Sequence, residues 1–147
     1  MDHAKSIVKQ YDNIRKKSWI VELLPWIGGG TSTTLYPYVY LSRATYKSIR
    51  SANPDPYKIS TLIHEEEHIK RIKNEGARRW YIKYFLDRHF RLEEELAATA
   101  PQFSYLKSLG LTFDMQRKAR VLAGHLYFWP VSRKEALRRL STLWEKA

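Results

Sequence analysis

The sequence predicts an α+β fold that is mostly helical, with a small antiparallel sheet near the N-terminus. Three observations predict it. Residues 19–41 are rich in β-branched and aromatic side chains and are broken by Gly28-Gly29-Gly30. From residue 42 onward, apolar residues recur at helical spacing between strong start and stop signals. The 147 residues are 44% hydrophobic and 14% aromatic, enough for one buried core, with no repeat, low-complexity tract or linker. Residues 1–147 are therefore expected to form a single domain.

Each element follows from local chemistry. Ile7, Tyr11 and Ile14 sit at helical spacing and predict a short amphipathic helix over about 4–17. The stretch from Ser18 to Trp26 reads as a strand, and the triple glycine after it as a turn. In the following segment Tyr36, Tyr38 and Tyr40 alternate with Pro37, Val39 and Leu41, so a second strand is expected. Pro37 lacks an N–H, which places that strand at a sheet edge. Asn53-Pro54-Asp55-Pro56 is a helix start, with Asp55 as cap and Pro56 at the first helical position. That helix should end at Gly76. A further helical run covers 77–90 and leads into 91–110, with Pro101 inside and Gly110 closing it. Another helix is expected over roughly 113–127, before Pro130. The last opens at the capping box formed by Ser132 and Glu135.

Composition narrows the chemistry. The chain has no cysteine, which excludes disulfide scaffolds, thiol nucleophiles and thiolate metal sites. Any metal must be held by His and carboxylate. Lys and Arg outnumber Asp and Glu by 26 to 15, a net charge of +11. Such an excess attracts nucleic acid or an anionic membrane face but does not specify a fold. Its clusters, among them Arg15-Lys16-Lys17, Arg78-Arg79 and Arg117-Lys118-Arg120, are dispersed, and no nucleic-acid module accompanies them. Met1–Gln10 lacks the apolar stretch of a signal peptide, and no window is long enough for a transmembrane segment. A cytoplasmic protein is expected, with its oligomeric state left open.

Residues 64–68 read His-Glu-Glu-Glu-His, the pattern H-E-x-x-H, inside the helix that starts at Pro56. Four residues are just over one helical turn, so His64 and His68 project from one face and can grip one ion. Glu65 lies beside them and is the candidate general base. Thr61-Leu62-Ile63 would pack the helix and draw both histidines inward.

Two histidines leave zinc one protein ligand short. A third histidine on the same run is excluded, because position 71 is Arg and position 74 is Asn. The remaining common solution is a glutamate on a later helix, and Glu93, Glu94 and Glu95 are the candidates. Leu92, Leu96, Thr99 and Phe103 form the expected buried stripe. At about 100° per residue, Glu95 lies nearest that stripe, Glu93 follows, and Glu94 points nearly opposite. Glu95 is the expected third ligand, with Ala98 leaving room for close approach and Thr99 able to orient it.

These residues resemble the gluzincin metallopeptidases, which carry H-E-x-x-H on one helix and Glu-x-x-Ala on a later one. They are most similar to small bacterial and phage zincin-like proteins. Leu62-Ile63-His64-Glu65-Glu66-Glu67-His68 and Glu95-Leu96-Ala97-Ala98, with Gln102 beyond, carry the resemblance over about 38–110. It departs at Ala97, where the family has a second Glu, and at Thr99, where gluzincins often have Asp. The resemblance implies a zincin-like domain with its sheet packed on the metal-binding helix. It also implies one Zn2+, hydrolysis of a peptide or protein substrate, and Tyr36–Leu41 as an edge strand that pairs with it. His89, His125, Tyr81, Tyr84 and Tyr127 are candidates by type for stabilising an oxyanion. A second expectation belongs to another class: a catalytically inactive zincin-fold module that binds nucleic acid or a protein partner through its basic surface.

Overall fold

A computed structural model of the chain describes residues 14–16, 32–124 and 130–147. Three short strands come first: β1 (Ile14–Lys16), β2 (Thr33–Leu35) and β3 (Tyr38–Leu41). Six helices follow: α1 (Arg43–Ile49), α2 (Pro56–Glu75), α3 (Ala77–Leu86), α4 (Arg88–Ser108), α5 (Met115–Leu122) and α6 (Arg133–Lys146). The fold is thus α+β and mostly helical. The chain forms two compact units, Met1–Ile69 and Lys70–Ala147, with the boundary inside α2. Among the described residues, no helix is long and apolar enough to cross a membrane.

In the first unit the strand order is β1-β3-β2, with β1 parallel and β2 antiparallel to β3. The sheet is therefore mixed rather than antiparallel. Residues 14–16 are strand rather than the end of a helix. Ile14 pairs with Val39 and is buried beside it, and this pairing outweighs a weak helical pattern. The rest of the expected helix over 4–17, the strand from Ser18 to Trp26 and the triple glycine lie outside the described residues.

Tyr36–Leu41 is not one edge strand. Tyr36 and Pro37 form the turn between β2 and β3, and β3 is central among the described strands. A proline in the turn leaves the ladder of β3 uninterrupted, so its missing N–H does not confine that strand to an edge. Ile14, Val39, Leu41 and Ile49 pack with Leu62 of α2, so the sheet does lie on that helix.

Helix boundaries follow the caps. The Asp55 carboxylate accepts the Tyr57 N–H at 2.9 Å, and Pro56 opens α2. Gly76 ends it at φ +90°, a left-handed conformation that other residues rarely adopt. Asp87 then separates α3 from α4, three residues before the break read from the sequence. It is extended, donates its N–H to Lys83 O, and accepts from the N–H groups of His89 and Phe90 at 2.8 and 3.1 Å. α4 continues through Pro101. It closes in a Schellman arrangement, with Leu111 N–H on Leu106 O and Gly110 at φ +68°.

The core of the second unit is Leu92, Phe103, Ala119, Leu122, Ala136 and Leu140, drawn from α4, α5 and α6. Phe103 is fully buried and packs edge-on against Phe113 and Trp144, with ring centroids 4.8 and 5.0 Å away. Phe103→Ala is expected to cost about 3–5 kcal/mol in urea unfolding, through lost burial and the cavity left behind. Asp87 supplies a second check. The backbone N–H of Phe90 lowers its carboxyl pKa below the ordinary value, with smaller help from His89 and Arg91. A depressed folded-state pKa stabilises above the unfolded value and loses that contribution as pH falls through the folded one. The stability gap between the native chain and Asp87→Ala is thus expected to hold above about pH 4 and to shrink below it. A gap independent of pH would exclude the cap.

Candidate metal centre

His64, Glu65, Glu66 and His68 lie along α2, and all four are buried. The helix period stacks His64 and His68 one turn apart, with ring centroids 4.9 Å apart and planes at 85°. Glu65 is fixed from the sheet: Thr34 Oγ1 donates to Glu65 Oε2 at 2.8 Å and lies 3.2 Å from the Glu65 carbonyl oxygen. Thr34 reaches it because of register. Thr34, Val39 and Ile14 are neighbours across the three strands, and Val39 belongs to the core beneath α2. Cross-strand neighbours share a face, so Thr34 faces the helix with Val39.

In the second unit the three glutamates of α4 separate by environment. Glu93 is exposed and paired with Arg139 at 2.5 Å. Glu94, expected to face solvent, is only 2% exposed. Its Oε2 accepts from Arg71 Nε at 2.8 Å and from the Trp80 indole N–H at 2.9 Å, while Oε1 accepts from Arg71 Nη2. The error is one of coverage: α4 is packed over far more of its circumference than its apolar stripe indicates, because its other buried positions are polar.

Glu95 is 4% exposed. Tyr84 Oη donates to its Oε1 at 2.9 Å, and Lys118 Nζ to its Oε2 at 3.2 Å. Thr99 does not orient this carboxylate; its hydroxyl donates to the Glu95 carbonyl oxygen at 2.7 Å, the usual backbond of a helical threonine. Ala98 is fully buried, consistent with close packing at that position.

Among the oxyanion candidates, Tyr84 is therefore engaged with Glu95, Tyr81 is half-buried against Trp80, and His89 is exposed. His125 and Tyr127 lie outside the described residues. Sequence reasoning missed Thr34 and Lys118. Nothing local links positions 34 and 65. Lys118 carried a readable signal, because it adjoins Ala119 and precedes Leu122 by one turn, and both of those are fully buried.

No protein-family model matches the chain, no curated protein matches it, and no solved structure matches it.

The pairing of Glu94 is testable. Arg71→Met keeps an unbranched side chain but leaves the Glu94 carboxylate short of its charged donor. Chemical denaturation should report a loss of about 1–3 kcal/mol, the cost of an under-satisfied buried acceptor. No change would mean that Glu94 is solvated.

Proposed function

We propose that this protein is a small zinc-dependent metallopeptidase of the gluzincin kind. In this reading His64, His68 and Glu95 hold one Zn2+, Glu65 is the general base, and the substrate is a peptide or protein in the cytoplasm. The observation that carries it is the pair of buried imidazoles one turn apart on α2, with Glu65 beside them and anchored by Thr34. The donor set fits: imidazole nitrogens and a carboxylate oxygen suit zinc, and the chain has no thiolate to select another metal. His64, His68 and Glu95 are each buried, and each offers a ligand atom of a kind that zinc takes.

When bound, zinc supplies Lewis acidity, polarising a carbonyl and making a water acidic near neutral pH. The chain's own residues do the rest. Thr34 holds Glu65 Oε2, so that Oε1 takes the proton from the attacking water and passes it to the departing amide nitrogen. Tyr84 and Lys118 set the rotamer of Glu95. Burial of the four α2 residues keeps bulk water from competing for that proton.

The +11 charge favours a second reading, in which the same fold keeps the metal without turnover and binds nucleic acid or a protein partner. One experiment separates them. Purified protein should contain about one zinc per chain, and His64→Ala, His68→Ala and Glu95→Ala should each lose it. Glu65→Gln should retain zinc while hydrolysis of unfolded casein falls by about 100-fold to 10,000-fold. Full activity in Glu65→Gln removes the assigned base. Zinc without cleavage of any unfolded protein supports the binding module. Full zinc content in Glu95→Ala assigns the third ligand elsewhere.

A further inference from the structure

Helix α3 presents a surface that neither the core nor the candidate site uses. Its inner side is held by Trp80, whose indole donates to Glu94 and whose ring stacks on Tyr84 at 4.5 Å. At about 100° per residue, positions 78, 79, 82, 85 and 86 fall within about 120° on the opposite side. They are Arg78, Arg79, Ile82, Phe85 and Leu86, all exposed. The three apolar ones are 50, 67 and 82% exposed, and they are contiguous on the helix surface. Single exposed apolar residues are ordinary, but three on one stripe mark an interaction surface.

Charge identifies the occupant. Arg78 and Arg79 stand at the N-terminal end of the stripe, Lys83 on its flank and Arg88 just beyond Leu86. Glu75 is shared between Arg79, at 3.4 Å, and Lys83, while Asp87 is turned onto the first N–H groups of α4. Cations therefore outnumber carboxylates around the apolar tips, on a chain of net charge +11. An anionic bilayer satisfies both halves of this pattern, taking the apolar side chains at the headgroup boundary and the cations on its phosphates. Nucleic acid would engage the cations and leave Ile82 and Leu86 in water. A second copy would bring like charges face to face. The tips are also pre-organised, because Arg91 donates to the carbonyl oxygens of Tyr84 and Phe85 at 2.8 and 3.0 Å and fixes the end of α3.

We propose that α3 docks the protein peripherally on an anionic membrane surface, with Phe85 and Leu86 seated among the headgroups. The full chain would be sedimented with vesicles of phosphatidylcholine alone and with vesicles that also contain phosphatidylserine. Binding to the anionic vesicles should be about tenfold tighter or more, and F85S/L86S should weaken it by about tenfold or more. R78Q/R88Q should weaken it by about fivefold per cation, with a matching loss at high salt. If F85S/L86S loses its near-ultraviolet circular dichroism, Ile82→Ser and Phe85→Ser carry the same test singly. No binding to phosphatidylserine vesicles, or binding unchanged by the apolar substitutions, overturns the proposal. So does a double-stranded oligonucleotide that displaces the vesicles and binds F85S/L86S as tightly as the native chain. A lipid-free dimer abolished by F85S/L86S would assign the face to a second copy instead.

Discussion

The second unit is organised by a requirement to pair buried charge. Arg91, Glu94 and Glu95 all lie within α4 and are all buried, where an unpaired ion costs far more than a paired one. Their partners come chiefly from its neighbours. Arg91 donates to the last carbonyls of α3, Glu94 accepts from Trp80 and Arg71, and Glu95 accepts from Tyr84 and Lys118. Three of these links end on α3. They hold a ten-residue helix, too short to be stable alone, in one rotation about its axis. That rotation turns Trp80 inward and leaves Ile82, Phe85 and Leu86 outward. One set of polar contacts thus orders both the interior and the exposed apolar stripe.

In the first unit the deciding constraint is register. Ile14, Val39 and Thr34 align across three strands, and the apolar pair buries against α2 beside Leu62. Because cross-strand neighbours share a face, burial of Val39 also delivers the Thr34 hydroxyl to the helix. A slip by one residue would send Thr34 to the opposite face and release Glu65. Packing energy in the sheet is therefore what positions the carboxylate proposed as base, and the two functions cannot be separated by mutation at Val39.

Legibility followed the range of the interactions. Caps and helical period act within a few residues, so the start of α2 at Pro56 and its stop at Gly76 were readable, as was the buried pair His64 and His68. Residues 14–16 were misread because a three-residue strand has little propensity of its own and exists by pairing with β3. Pro37 was misread because a turn and an edge strand make the same demand on a residue without an N–H. Glu94 was misread because an apolar stripe locates the greasy part of a helix surface, whereas Arg71 and Trp80 made a polar part equally buried.

The sequence by itself determined where α2 begins and ends, the one-turn spacing of two imidazoles and, through the absence of cysteine, a donor set limited to nitrogen and oxygen. These are properties of covalent spacing and residue type. Tertiary structure alone decided which glutamates are buried and with what partners, that Thr34 holds Glu65, and that Lys118 is a partner rather than a solvated charge. A residue's direction on its helix is set by the period, but whether anything stands in that direction depends on segments far away in the chain.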